Sequence, residues 1–192
     1  MVVLATVAGC AEFSRKPSVS YALELSDPDR VSFTGRGAGA GMMLSGSMGA
    51  MGIALGVAID VGIGKEIEET AVQSGIEFPA LLKQQLSGTA SVPVYWLDDT
   101  KRADRVYRIK NYGFTSVRGS SEEVYPSFAL EILEAGGVVR TMTMPDDFLV
   151  EEQAIPRARF DDIKTKSSEI ERLWKAGISI ALALHEEDQV LR

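Results

Sequence analysis

The chain holds one cysteine, Cys10, and one histidine, His185, which narrows the chemistry open to it. Most zinc sites, Cys–His nucleophilic pairs and internal disulfides need more of these residues than the sequence contains. What remains is carboxylates. Acidic neighbours recur at Asp98-Asp99, Glu122-Glu123, Asp146-Asp147, Glu151-Glu152, Asp161-Asp162 and Glu186-Glu187. Paired carboxylates can serve as acid and base, but adjacent residues point to opposite faces of a strand or about 100° apart on a helix. Most of these pairs fall in predicted turns or helix starts, where carboxylates are solvated or complement the helix dipole. His185 stands beside Glu186 and Glu187 with no Ser or Cys nucleophile context and reads as a helix-end residue. Gly35-Arg36-Gly37-Ala38-Gly39 lacks both the strand-G-x-G-x-x-G-helix setting and a Gly-Lys-Ser/Thr ending, so it does not read as a phosphate loop. Trp96, Trp174 and Tyr112 are spaced as core or interface aromatics, not as a base-stacking platform. No catalytic set, metal or cofactor is expected, and an enzyme such as a cell-wall hydrolase is the weakest functional reading.

The elements that must carry these residues are bounded by composition. A chain of 192 residues accommodates one ordinary domain plus a membrane-associated segment. Its 45% hydrophobic and 24% charged residues are those of a globular protein. Twenty basic against 27 acidic residues give a formal charge of −7 with no dense basic run, so no nucleic-acid partner is expected.

One stretch departs from that average. Residues 37–59 carry no charge and are dominated by Gly, Ala, Met and aliphatic side chains. As one helix they would be about 35 Å long, against roughly 30 Å of bilayer hydrocarbon. Gly46, Ala50, Ala54, Ala58 and Gly62 recur every four positions as a small-residue ridge, and Ser45, Gly49, Gly52 and Gly56 form a second groove beside it. Small residues let helices approach closely in lipid, whereas in a soluble helix each Gly costs about 1 kcal/mol relative to Ala. We therefore expect a glycine-zipper membrane segment over 37–64, a helix or helical hairpin, with Gly46, Gly49, Ala50, Gly52, Ala54, Gly56 and Ala58 as packing positions. The competing readings are a buried soluble hairpin bending near Ser45-Gly46-Ser47, and a flexible loop.

Around this segment the pattern is that of an α+β domain: a small mixed or antiparallel sheet with flanking helices, preceded by the Gly/Ala-rich element. Residues 19–25 alternate as an edge strand within a tether spanning 10–36, and Asp27-Pro28-Asp29 reads as a turn. From 65 onward, 66–74 reads as a helix with Ile67, Ala71 and Val72 inward, and 79–86 as a second with Leu81, Leu82 and Leu86 inward. Strands are expected at 91–97 and 105–117, the latter with Tyr107, Ile109 and Asn111 facing the core up to a bulge near Gly113. A further strand, 127–134, turns at Gly136-Gly137 into 138–144. Residues 161–185 close the domain as one helix with Ile163, Ile170, Leu173, Trp174, Ile178, Ala181 and Leu182 on one side.

Two resemblances then bear on function. Val7-Ala8-Gly9-Cys10 resembles the lipobox of bacterial lipoproteins, which implies a signal peptide over 1–9, short of its charged n-region, and a fatty-acylated Cys10. Ala11 after the cysteine implies sorting to the outer membrane. The order of parts after Lys65 resembles envelope lipoproteins of the curli-secretion (CsgG-like) type, and the glycine zipper is similar to that of surface-exclusion (TraT-like) lipoproteins. Together they imply a non-enzymatic outer-membrane lipoprotein on the periplasmic face, anchored to membrane lipid through Cys10. They further imply a homo-oligomer that serves secretion, export or surface assembly, with envelope proteins as partners. The alternative is a soluble periplasmic binding or scaffold module with the glycine-rich hairpin buried.

Overall fold

The computed structural model describes residues 18–26, 30–135, 137–149 and 155–190; the side chains of Leu149 and of residues 184–190 are outside that description. Cys10, Asp27-Pro28-Asp29, Gly136, Glu151-Glu152 and the side chain of His185 therefore lie outside the described residues. The elements run β1 (Val19–Leu25), β2 (Ser32–Thr34), α1 (Arg36–Met48), α2 (Ala50–Gln73), α3 (Phe78–Thr89), β3 (Val94–Leu97), a 3-10 turn (Thr100–Arg102), β4 (Arg105–Ser116), β5 (Glu123–Glu134), β6 (Gly137–Met144), α4 (Asp146–Leu149), β7 (Ala158–Arg159), α5 (Phe160–Thr165) and α6 (Ser167–Val190).

The sheet is mixed, in the order β3-β1-β4-β5-β6, with β2 continuing beside β4 and β7 beside β5. Strands β1, β2 and β3 make the parallel pairings, while β4-β5-β6 form an antiparallel meander and β7 pairs antiparallel with β5. Strand β1 is thus interior, bonded on both sides, and not the edge strand its polar neighbours suggested. With β2 it makes Val19–Leu25 and Ser32–Thr34 part of the domain, so the glycine-rich element is inserted after two strands and does not precede the fold.

One face of the sheet is covered by α3, α5 and α6. Pro79 in the first turn of α3 and apolar residues at helical spacing bury Phe78, Leu81, Leu82 and Leu86. Helix α6 contributes Ile170, Leu173, Trp174, Ile178, Ala181 and Leu182. The predicted 161–185 helix is two helices, broken at Lys166, whose extended backbone (ψ 99°) still donates its N–H to the Asp162 carbonyl. In α2, Ile67 and Ala71 are buried but Val72 is exposed.

In β4 the pairing with β5 shifts between Ile109 and Asn111, which places the bulge at Lys110 and not near Gly113. A bulge flips the alternation. Asn111 accordingly turns outward while Tyr112 and Phe114 join Tyr107 and Ile109 in the core. Gly113, at φ 155°, faces Ser32, where an added Cβ would overlap the β2 backbone. The face away from the helices carries cross-strand ion pairs from Arg108 to Glu24 (3.2 Å) and Glu131 (3.1 Å), while Arg105 and Glu134 pair on the other face, at the strand ends beside Tyr107.

The buried Tyr107 hydroxyl is pushed up to about 12 by burial, against the opposing hydrogen bond from Arg105. An unfolded tyrosine ionises near 10, so between pH ~10 and ~12 the unfolded chain releases a proton that the folded chain keeps. Stability should be unaffected by this group below pH ~10 and should fall by roughly 2–3 kcal/mol across that window. Urea midpoints of wild type and Tyr107→Phe check this: the variant should lose less stability over the same pH range.

Candidate functional site

The uncharged segment folds as a helical hairpin. Helix α1 ends at Met48, Gly49 turns the chain at φ 57°, and α2 returns from Ala50. Of the two forms expected over 37–64, a helix or a helical hairpin, the second is found, and no helix among the described residues is long and apolar enough to cross a membrane. The break falls at Gly49 because a left-handed φ costs a glycine nothing, and the Gly49 N–H then bonds the Ser45 carbonyl at 2.9 Å.

The two small-residue patterns have separate fates. Gly52 and Gly56 lie in the interface between the arms, with Gly37 and Gly41 opposite; a Cβ on Gly52 would lie 2.5 Å from the Leu44 carbonyl carbon. Gly64 continues the line, passing so close to β2 that a Cβ would sit 2.6 Å from the Val31 carbonyl oxygen. Gly46, Gly49, Ala50, Ala54 and Ala58 face outward, and Gly46, Gly49 and Gly62 have nothing within 4 Å of an added Cβ. The Gly52–Gly56 part of the predicted groove is therefore a zipper within the chain, and the predicted ridge is its free outer side. Sequence spacing identified both stripes but did not distinguish them.

Close backbone contact forces the large side chains outward. Met42 (73% exposed), Met43 (81%), Met51 (64%), Ile53 (59%) and Val57 (60%) sheathe the hairpin together with Met48, Leu55, Ile59 and Val61. These nine are most of the fourteen exposed large hydrophobics among the described residues, a concentration far beyond scattered surface apolars. Polar side chains near the tip bond the backbone of their own helix. The Ser45 hydroxyl donates to the Met42 carbonyl (2.8 Å) and Ser47 to the Leu44 carbonyl (3.2 Å).

At the base, Asp60 accepts the N–H groups of Gly35 (3.1 Å) and Gly37 (2.6 Å). Helix α1 has no side-chain cap of its own, and this carboxylate from the other arm satisfies two of the donors that a helix start leaves open. The sequence marks Asp60 only as the end of the uncharged run. The Arg36 guanidinium lies 3.5 Å above the Phe160 ring centroid and donates to the Ser121 carbonyl. Between α1, the β4–β5 turn and the start of α5 opens a cleft of about 1140 Å³. Arg36, Arg118 and Arg159 line it, with Ser116, Ser120 and Ser121; Met42 stands at its hairpin side, and Glu122 and Asp161 are exposed on it. Periodicity gave no hint of this cleft, because its residues come from three separate connections.

The acidic pairs do local work. Asp99 caps the 3-10 turn through the Lys101 N–H (3.0 Å), and Asp147 accepts from the Thr143 N–H (2.6 Å). Asp161 and Asp162 open α5, with the Lys166 hydrogen bond holding Asp162 below the usual carboxylate range. No group of three or more possible metal ligands exists among the described residues. Comparison with known protein families and with curated proteins finds no match.

Proposed function

We propose that this chain is a non-enzymatic bacterial envelope lipoprotein that seats its glycine-zipper hairpin in one leaflet of a membrane. The observation that carries this reading is the hairpin itself, an uncharged projection whose outer surface is Met, Ile, Leu and Val. In water each such side chain forgoes roughly 1–3 kcal/mol of burial. A 13-residue arm is about 20 Å long, longer than the ~15 Å of hydrocarbon in one leaflet but shorter than the whole core. Hydrocarbon tolerates only backbone whose polar groups are satisfied internally. The serine back-bonds and the Gly49 turn bond meet that demand at the tip.

In this reading Cys10 supplies a fatty-acyl anchor and the hairpin a second attachment, since one chain alone holds only marginally. The outer ridge of Gly46, Ala50, Ala54 and Ala58 packs against a second copy, and the α+β domain stands at the periplasmic face of the outer membrane as a secretion, export or surface-assembly component. A soluble module whose hairpin is covered by a protein partner is the second reading, favoured by the zipper closing within one chain.

Flotation of the full chain carrying Cys10→Ser with phosphatidylcholine vesicles separates the two. The unacylated protein should float with the vesicles, and Met43→Glu/Ile53→Glu/Val57→Glu should leave it behind while circular dichroism stays unchanged. Protein that remains at the bottom of the gradient with its hairpin intact is not a membrane-seated hairpin.

A further inference from the structure

We propose that the arginine-lined cleft at the base of the hairpin binds the phosphate of an anionic phospholipid, with the acyl chains lying along the hairpin at Met42. The inference rests on the leaflet-seated hairpin and adds to it a site with a chemical class of ligand.

Depth comes first. Arg36 opens α1, and the tip lies 13 residues, about 20 Å, away. With the tip near the bilayer midplane, Arg36 sits roughly 5 Å beyond the ~15 Å half-thickness of hydrocarbon, the level of the lipid phosphates. The cleft is therefore held where phosphate groups are.

Charge comes second. The chain carries −7 overall, yet three arginines line this cleft against two carboxylates, Glu122 and Asp161. Arg118 and Arg159 have no ion-pair partner within 4 Å among the described residues, and both are exposed. Arg159 is held by its backbone, through the pairing of β7 with β5 at Glu123. Arg36 is different: Phe160 and the Ser121 carbonyl fix its plane. Guanidiniums suit phosphate because their forked donors match its oxygens.

Unmet hydrogen bonding is the third observation. The Arg36 Nε and the Ser116 Oγ are buried and have no partner among the described residues. A buried donor left unpaired is costly; both belong to residues that line the cleft, and a small shift of either side chain toward a bound phosphate would pair it. The wall formed by Ala38, Gly39 and Met42 is continuous with the apolar sheath. A free anion has no use for such a wall; a lipid does.

The test compares flotation of the full chain carrying Cys10→Ser on phosphatidylcholine vesicles with flotation on vesicles that also contain phosphatidylglycerol. A basic residue at an anionic membrane surface is worth about fivefold in binding, so the Arg118→Gln/Arg159→Gln variant should lose about 25-fold on the anionic vesicles and nothing on the neutral ones. Lys101→Gln/Arg102→Gln removes the same charge at the opposite end of β4 and should retain the preference. Glu122→Gln/Asp161→Asn should strengthen it. Equal binding of wild type to both vesicle types, or equal losses from the two charge-removing variants, overturns the cleft and leaves the hairpin reading standing. Inorganic phosphate at matched ionic strength should not compete; competition would assign the cleft to a small free anion and overturn the lipid. A chain that floats with neither vesicle type overturns the hairpin reading and the cleft with it.

Discussion

Replacing Gly56 by leucine should melt the outer hairpin and leave the sheet domain folded. At this position a Cβ would fall far inside van der Waals contact distance of the Gly37 carbonyl oxygen and 3.0 Å from the Gly41 Cα. Both obstacles are backbone, so no side chain can rotate away and the arms must separate. Overpacking a well-packed interface usually costs about 1–3 kcal/mol, and a leucine against a backbone stands at or above the top of that range. Hydrogen exchange should report the change as a loss of protection of about 100-fold or more over 36–62, with the amides of β4 and β5 unmoved. Gly46→Ala and Gly62→Ala should do the reverse. Nothing lies within 4 Å of either added Cβ, and alanine is favoured over glycine in a helix by about 1 kcal/mol. The same residue type thus gives opposite signs on the two sides of one helix. Equal destabilisation by Gly56→Leu and Gly46→Ala would show that the arms do not pack through the Gly37–Gly56 face.

These positions also show where sequence pattern stops being informative. Four-residue spacing of small residues identifies close-packing stripes, because a helix repeats every 3.6 residues. It cannot say whether the partner helix belongs to the same chain. That depends on a turn, and Gly49 was one glycine among many until its φ of 57° singled it out. Strand alternation in β5 was readable from Phe128, Leu130 and Ile132, all buried. In β4 the alternation misled beyond Ile109, since a bulge at Lys110 leaves no mark in side-chain type. Strand β1 reads as a polar edge because its outward residues, such as Glu24, are ion-paired across the open face; only long-range parallel pairing makes it interior. The cleft was illegible for the same reason. Arg36, Arg118 and Arg159 are far apart in sequence, and three non-local connections bring them together.

Trp174→Ala should produce a global loss of about 3–5 kcal/mol, in contrast to the local effect of Gly56→Leu. The indole is 1% exposed, stacks on Phe114 (5.4 Å between centroids) and meets Phe78 (5.6 Å) and Tyr112 (5.8 Å) edge-on. Its Nε1 donates to the Gly113 carbonyl at 3.3 Å, the residue at which β2 runs against β4. Truncation opens a large void beside three rings and strips that carbonyl of its donor. Against a typical net stability of 5–15 kcal/mol, the variant should unfold at a markedly lower urea concentration with an unchanged slope. Trp174→Phe keeps the stacking but not the donor, and should cost only about 1–3 kcal/mol. The hairpin should also feel Trp174→Ala, because α2 leans on β2 through Gly64 and Val31 and β2 is held by β4 at Gly113. Exchange over 36–62 should therefore rise in Trp174→Ala, whereas exchange in β4 stays fixed in Gly56→Leu. Coupling in one direction only is what a projection mounted on a domain requires, and a hairpin whose protection ignored Trp174→Ala would be one that folds without its mount.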